Sequence, residues 1–107
     1  GIVYGELRQY QLAMNDFNEA IRKLPFYADA YYNRGVTYDK LGQHQNAIDD
    51  YNQAIRLKPD YTKAYINRGI AYLKKRDKTL GCSDVGKACA LGDCEAIKTA
   101  QRLGLCR

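Results

Sequence analysis

The residues best suited to chemistry are four cysteines, Cys82, Cys89, Cys94 and Cys106, all in the last quarter of the chain. An even number in one cluster favours bridging. Free thiols and zinc are the other uses of such a set, although the spacing lacks the short Cys-x2-Cys knuckle usual in zinc sites. Catalysis has little to stand on. The one histidine, His44, lies near the start of a helical stretch, where it is expected to be solvated. No nucleophile and base are paired in the sequence, and a dyad of His44 with a cysteine would have to join distant segments. No glycine-rich phosphate loop and no spaced metal triad is present. Ten tyrosines could stack on bases, but most recur at fixed spacing, as core residues do. The chain therefore reads as no enzyme, with no cofactor and no metal.

The elements that position these residues must come from one modest core. A chain of 107 residues suits a single domain, and 46% apolar with 27% charged residues suits a soluble globule rather than a disordered chain. No apolar run approaches the roughly 20 residues of a membrane span. The net charge of +5 is uneven. Residues 1–60 carry seven Lys/Arg and eight Asp/Glu, a net of −1, while residues 61–107 carry ten and four, a net of +6. Such a basic end can attract an acidic partner, but its cations are scattered and not interleaved with aromatics, so nucleic acid is not expected.

Sliding the chain against itself by 34 residues aligns it almost throughout. Gly1, Gly35 and Gly69 coincide, as do Tyr4, Tyr38 and Tyr72. Ala13, Ala47 and Gly81 follow, then Phe17, Tyr51 and Val85, then Ala20, Ala54 and Ala88. Pro25 and Pro59 coincide, with Asp93 in the third place. Within one period, Tyr31, Gly35, Tyr38 and Leu41 share one helix face, and Ala47, Tyr51 and Ala54 share the next. Gly35 opposite Ala47 leaves no bulk between two helices, so their backbones can approach. Gly42 suits a helix C-terminus, and Pro59 stops the following helix.

This pattern resembles the tetratricopeptide repeat (TPR). Tyr31, Gly35, Tyr38, Ala47, Tyr51, Ala54 and Pro59 fill its places in the middle repeat, with Arg34 where leucine is usual. The resemblance implies an all-α fold: a right-handed α-α superhelix, or TPR solenoid, of antiparallel helix pairs with a C-terminal capping helix. The expected units of this single domain are a partial repeat at 1–27, a repeat at 28–61, a divergent repeat at 62–93 and a cap at 94–107. Helices are expected at about 1–7, 10–23, 28–41, 44–57, 62–75, 78–91 and 94–103, the last N-capped by Asp93. By this register, Gly1 is the eighth position of a repeat, so further sequence upstream is expected, and an exposed solenoid end invites a homo-oligomer. Arg34 and Arg68 stand in a usually apolar place, where stems can pack while charges reach water.

The helices also constrain the cysteines. Cys82 and Cys89 share a helix face but are about 10 Å apart along its axis, beyond a disulfide's reach of about 7 Å. A final helix folding back antiparallel pairs Cys89 with Cys94 and Cys82 with Cys106. Such bridges imply an oxidising compartment, the periplasm or the cell exterior, whereas free thiols would suit the cytoplasm. The run Gly92-Asp93-Cys94 resembles the ending of exported bacterial members of the family.

In this family the first helix of each pair lines a concave groove that binds another protein or peptide segment. That places Ile2, Gly5 and Glu6 in the groove, then Asp29, Tyr32, Asn33, Val36, Asp39 and Lys40, then Lys63, Ile66, Asn67, Ile70, Leu73 and Lys74. The amides of Asn33 and Asn67 can both donate to and accept from a bound backbone, or can instead bond a neighbouring repeat. Asn33 and Lys63 match two positions of the clamp with which some members grip a terminal carboxylate. Ile2 and Asn67 do not match, so the clamp is not expected. The expected function is a non-catalytic protein-interaction scaffold, with structural self-assembly as the alternative.

Overall fold

The computed structural model describes residues 4–107. Its helices are α1 (Tyr4–Lys23), α2 (Ala28–Lys40), α3 (His44–Leu57), α4 (Thr62–Lys74), α5 (Lys78–Ala90) and α6 (Glu95–Arg102), with no strand among the described residues. Each helix packs on the next, and α2 also touches α4 across the intervening α3. The short loops force neighbours antiparallel, so the chain forms a stack of helix pairs with α2, α4 and α6 as the first helices of successive units.

The turns follow the repeat. Gly42 ends α2 at φ 77°, a left-handed conformation that spares glycine the clash of a Cβ. Arg76 holds the equivalent place after α4 at φ 65°, without glycine's advantage. Packing of α4 on α5 overrides that local cost. At the other turns the first-helix tyrosines tie the loop: Tyr31 donates to the Pro25 carbonyl at 3.0 Å and Tyr65 to that of Pro59 at 3.1 Å.

The first expected pair of helices differs. Residues 4–23 form one unbroken helix rather than two segments meeting near residue 8. Arg8 stands where Gly42 stands one repeat later, and arginine is a strong helix former. With no glycine to favour the turn, continuing the helix keeps every backbone hydrogen bond. The glycine of that repeat, Gly1, lies outside the described residues, as does Ile2.

Between α2 and α3, a Cβ on Gly35 would lie 2.7 Å from the ring of Tyr51, so this glycine makes room for the aromatic ring. Tyr51 and Ala47 are both fully buried. Between α4 and α5 the helices themselves meet: a Cβ on Gly81 would lie 2.9 Å from the Gly69 carbonyl oxygen and 2.6 Å from Leu73 Cγ.

Arg34 and Arg68 turn their charges mainly inward, each partly buried on a carboxylate. Arg34 donates twice to the buried carboxylate of Asp50, at 2.8 and 2.7 Å, and a third time to Asn18 of the preceding repeat at 3.0 Å. Arg68 repeats this arrangement with Asp84 and Asn52. The sequence hint was a second recurrence at the same period, Asp50 with Asp84 and Asn18 with Asn52. A carboxylate sequestered from water needs such a partner, and the planar guanidinium supplies two parallel bonds to it. The paired Asp holds each guanidinium more firmly protonated, against the opposing effect of burial.

Helix α6 lies against α5 and buries Ala100. It begins one residue later than expected, with Cys94 rather than Asp93 at the cap. Asp93 still accepts from the Glu95 amide at 3.2 Å. Gly92 (φ 114°) and Gly104 (φ 76°) bracket this last unit. The structure brings Cys82 to disulfide distance of Cys106, Cα atoms 5.7 Å apart, and Cys89 to that of Cys94.

Candidate protein-binding groove

The first helices of the pairs, α2, α4 and α6, line two open cavities, each of about 510 Å³. One is polar and lies at the N-terminal ends of α2 and α4. The other is apolar and lies between α4 and α6, floored by α5.

The polar cavity gathers Asp29, Tyr32, Asn33 and Lys63 from the expected set, with Lys58 and Tyr61 beside them. Several of these groups are already engaged. Tyr61 donates to Asp29 at 2.5 Å, and Asn67 donates to the Tyr32 hydroxyl at 2.9 Å, joining the first helices of adjacent repeats. Asn67 thus spaces repeats with its amide nitrogen. The rings of Tyr32 and Tyr61 lie 5.0 Å apart, and those of Tyr32 and Tyr51 5.9 Å apart, within the range of tilted aromatic pairs. Lys58 sits over the Tyr61 ring at 4.9 Å. Burial, assisted by the neighbouring carboxylates Asp39 and Asp29, pushes the Tyr51 and Tyr61 hydroxyls well above the ordinary tyrosine range. Burial raises Tyr32 as well, against the effect of the Asn67 bond. These tyrosines therefore act as neutral hydrogen-bonding groups at physiological pH. Asn33 and Lys63 remain exposed on the groove face.

Asp39 is also engaged. It accepts from Tyr51 at 2.7 Å and pairs with His44 Nδ1 at 2.9 Å. His44 is therefore not solvated as expected but partly buried against this carboxylate. The reason is the tight turn at Gly42, which swings the start of α3 back beside the end of α2. Of the other expected groove residues, Val36 is half-buried, and exposed Lys40 lies 5.8 Å over the ring of Tyr10. Neither lines these two cavities.

The apolar cavity gathers Ile66, Ile70, Leu73 and Lys74 from the expected set. Its opposite wall was missed: Ala96, Ala100 and Leu103 of α6, with Leu105 beyond it. The signal was present, since Ala96, Ala100 and Leu103 step by four and three along one helix face. No group of His, Cys, Asp and Glu among the described residues could hold a metal ion, and none of their helices is long and apolar enough to cross a membrane.

Residues 28–61 match the tetratricopeptide repeat family. Among solved structures, MamA is 34% identical over 79% of this chain and 50% of its own, with a TM-score of 0.76. A second MamA structure is likewise 34% identical, over 79% of this chain and 46% of its own, with a TM-score of 0.74. This chain thus spans about half the length of MamA. The TPR domain of Arabidopsis OM64 is 27% identical over 89% of this chain and 79% of its own, with a TM-score of 0.83. The first TPR of Spaghetti (RPAP3), bound to an HSP90 peptide, is 24% identical over 94% of this chain and 82% of its own, with a TM-score of 0.84, a likeness of fold alone. No curated protein matches the sequence.

Proposed function

Since the chain is a tetratricopeptide-repeat protein, we propose that it is a non-catalytic scaffold that holds a segment of another protein in the groove along α2, α4 and α6. One observation carries this reading: both cavities are lined by the first helices of the pairs, so they open along a single face. Exposed Asn33 offers an amide to a bound backbone without demanding particular side chains, and Lys63 offers a cation beside it. The acids of the same face, Asp29 and Asp39, are already engaged by tyrosine and histidine. A carboxylate clamp is not part of the proposal, because Asn67 stands where that clamp has arginine and spends its amide on Tyr32.

The test is affinity capture from the source cells with the native chain and with an Asn33→Ala, Lys63→Ala variant. Recovery of a partner should fall several-fold with the variant. Equal recovery would count against the groove.

The cysteine pairs at disulfide distance support an oxidising compartment, the periplasm or the cell exterior, rather than the cytoplasm. The intact unreduced chain should then weigh four hydrogens less than the reduced chain, two per bridge. Equal masses would remove the argument.

Self-association is the second reading. It is favoured by large apolar side chains left open in and just after α1, with Leu12 at 56%, Leu24 at 59% and Phe26 at 79% exposure. Such side chains are drawn together when copies meet. Light scattering that shows only monomer across a wide concentration range would dismiss it.

A further inference from the structure

We propose that the cavity between α4, α5 and α6 is an anchor site for an extended partner segment. That segment carries two aliphatic side chains at alternate positions, with a basic residue on one side and an acidic residue on the other. The proposal rests on the groove reading above and names what one end of that groove recognises.

The lining selects for apolar anchors. Val85 and Ala100 are almost wholly buried at 1% and 4% exposure and form the base, while Ile70 at 38% and Leu103 at 68% stand open on the two sides. Ile66 and Leu73 complete the α4 wall. Apolar surface open to water is stabilised by covering it, and aliphatic side chains do so without leaving a polar group unpaired.

Charge complementarity sets the flanks. Helices α4 and α6 run in the same direction, because each is antiparallel to α5. Lys74 at the end of α4 and the Asp93–Glu95 pair at the start of α6 therefore mark opposite ends of the cavity. None of these three side chains joins an ion pair among the described residues. A bound segment gains from an acidic residue near Lys74 and a basic residue near Asp93 and Glu95, and the reverse orientation is disfavoured.

A short extended segment matches the cavity in length. Ile66 and Lys74 are about 12 Å apart along the axis of α4. Roughly four residues of extended chain cover that span at about 3.3 Å each. Alternate side chains of an extended chain point the same way, so two of them enter the cavity while the backbone stays at its mouth. The wall from α6 exists only while that helix stays on α5, the contact that the two cysteine pairs span.

The experiment is selection from a displayed random dodecapeptide library on the full, unreduced chain. Selected peptides are then synthesised with fluorescein and titrated by polarisation. The selected set should show two aliphatic residues at i and i+2 between opposite charges. An Ile70→Ser, Leu103→Ser variant, altered only at exposed side chains and checked for helicity by circular dichroism, should bind at least about tenfold more weakly. Lys74→Glu should also weaken binding, and a peptide with its acidic flank changed to lysine should restore it. Peptides untouched by the Ile70 and Leu103 changes but weakened by Asn33→Ala, Lys63→Ala would overturn the anchor site and leave the groove standing. Peptides indifferent to both variants would overturn both. An empty selection, or a dimer of the free chain that the Ile70 and Leu103 changes dissolve, would overturn the anchor site by showing the cavity unused or filled by a second copy.

Discussion

The repeats at 28–61 and 62–93 run in one register but fill the space between their paired helices with different side chains. In the first, Tyr51 is the large filler. It lies against Gly35, and its hydroxyl bonds Asp39, which His44 meets from the other side. In the second, the same three places carry Val85, Leu73 and Lys78. Valine takes the same place against Gly69, where a Cβ would lie 2.9 Å from its Cγ1, but it is smaller and has no hydroxyl to satisfy. Gly81 replaces Ala47, and a Cβ there would lie 2.6 Å from Leu73 Cγ and 2.9 Å from the Gly69 carbonyl oxygen. The polar Tyr–Asp–His group gives way to an apolar contact at the position where Asp39 became Leu73. The substitutions compensate one another, so the pair is the unit of design rather than the single residue. The change also shapes the apolar cavity, because Leu73 and Val85 line it, whereas the counterpart of Leu73, Asp39, is held by polar bonds.

The sharpest way to break this comparison is truncation of the two fillers. Tyr51→Ala removes a wholly buried ring and leaves Asp39 with one partner fewer, so a loss of about 3–5 kcal/mol is expected in urea unfolding. Val85→Ala should lose only about 1–2.5 kcal/mol, having less to remove. Equal losses would mean that the two repeats are not packed differently.

A smaller effect separates the two close approaches. Gly81→Ala places a methyl group against Leu73 and against the Gly69 carbonyl, and a destabilisation of about 1–3 kcal/mol is expected. Shortening Leu73 to alanine as well should not rescue it, because the backbone oxygen at 2.9 Å remains in the way. Full rescue in the double variant would show that side-chain volume alone, and not helix approach, governs this repeat.

The smallest effect is alkaline. The Tyr51 hydroxyl is raised well above its ordinary value, first by burial and then by Asp39. The unfolded chain releases that proton near pH 10, while the folded chain retains it. Stability from this group is therefore complete below about pH 10 and declines as pH rises beyond it. Tyr51→Phe should lose about 0.5–1.5 kcal/mol at neutral pH and flatten the alkaline fall. An identical alkaline slope in the variant would assign the fall to other groups, Tyr61 first among them.

Much of the helix layout was legible in the sequence because the 34-residue period repeats its own punctuation. Gly42 and Pro59 mark ends by local backbone chemistry, and α2 through α5 fall where that chemistry places them. The exception is informative. Around Arg8 the punctuation is missing, and the helix runs on. The groove was legible as a set of positions on first helices, but not as a set of free groups. Asp29, Asp39 and Asn67 are chemically apt for a ligand, and Asn67 equally so for a bond to a neighbouring repeat. Their actual partners, Tyr61, Tyr51 with His44, and Tyr32, are 5 to 35 residues away in sequence, and no spacing rule announces them.

By itself, then, the sequence determined the period, the helical class, most helix ends and which face of each helix is apolar, since all of these follow from local backbone preference and the 3.6-residue turn. Tertiary structure decided which polar groups are spent and which stay free. It set Arg34 and Arg68 on the buried carboxylates of Asp50 and Asp84, and it made the capping helix α6 a wall of a cavity. The physical reason is that hydrogen-bond satisfaction and cavity shape depend on where separate helices meet, and only packing sets that distance and orientation.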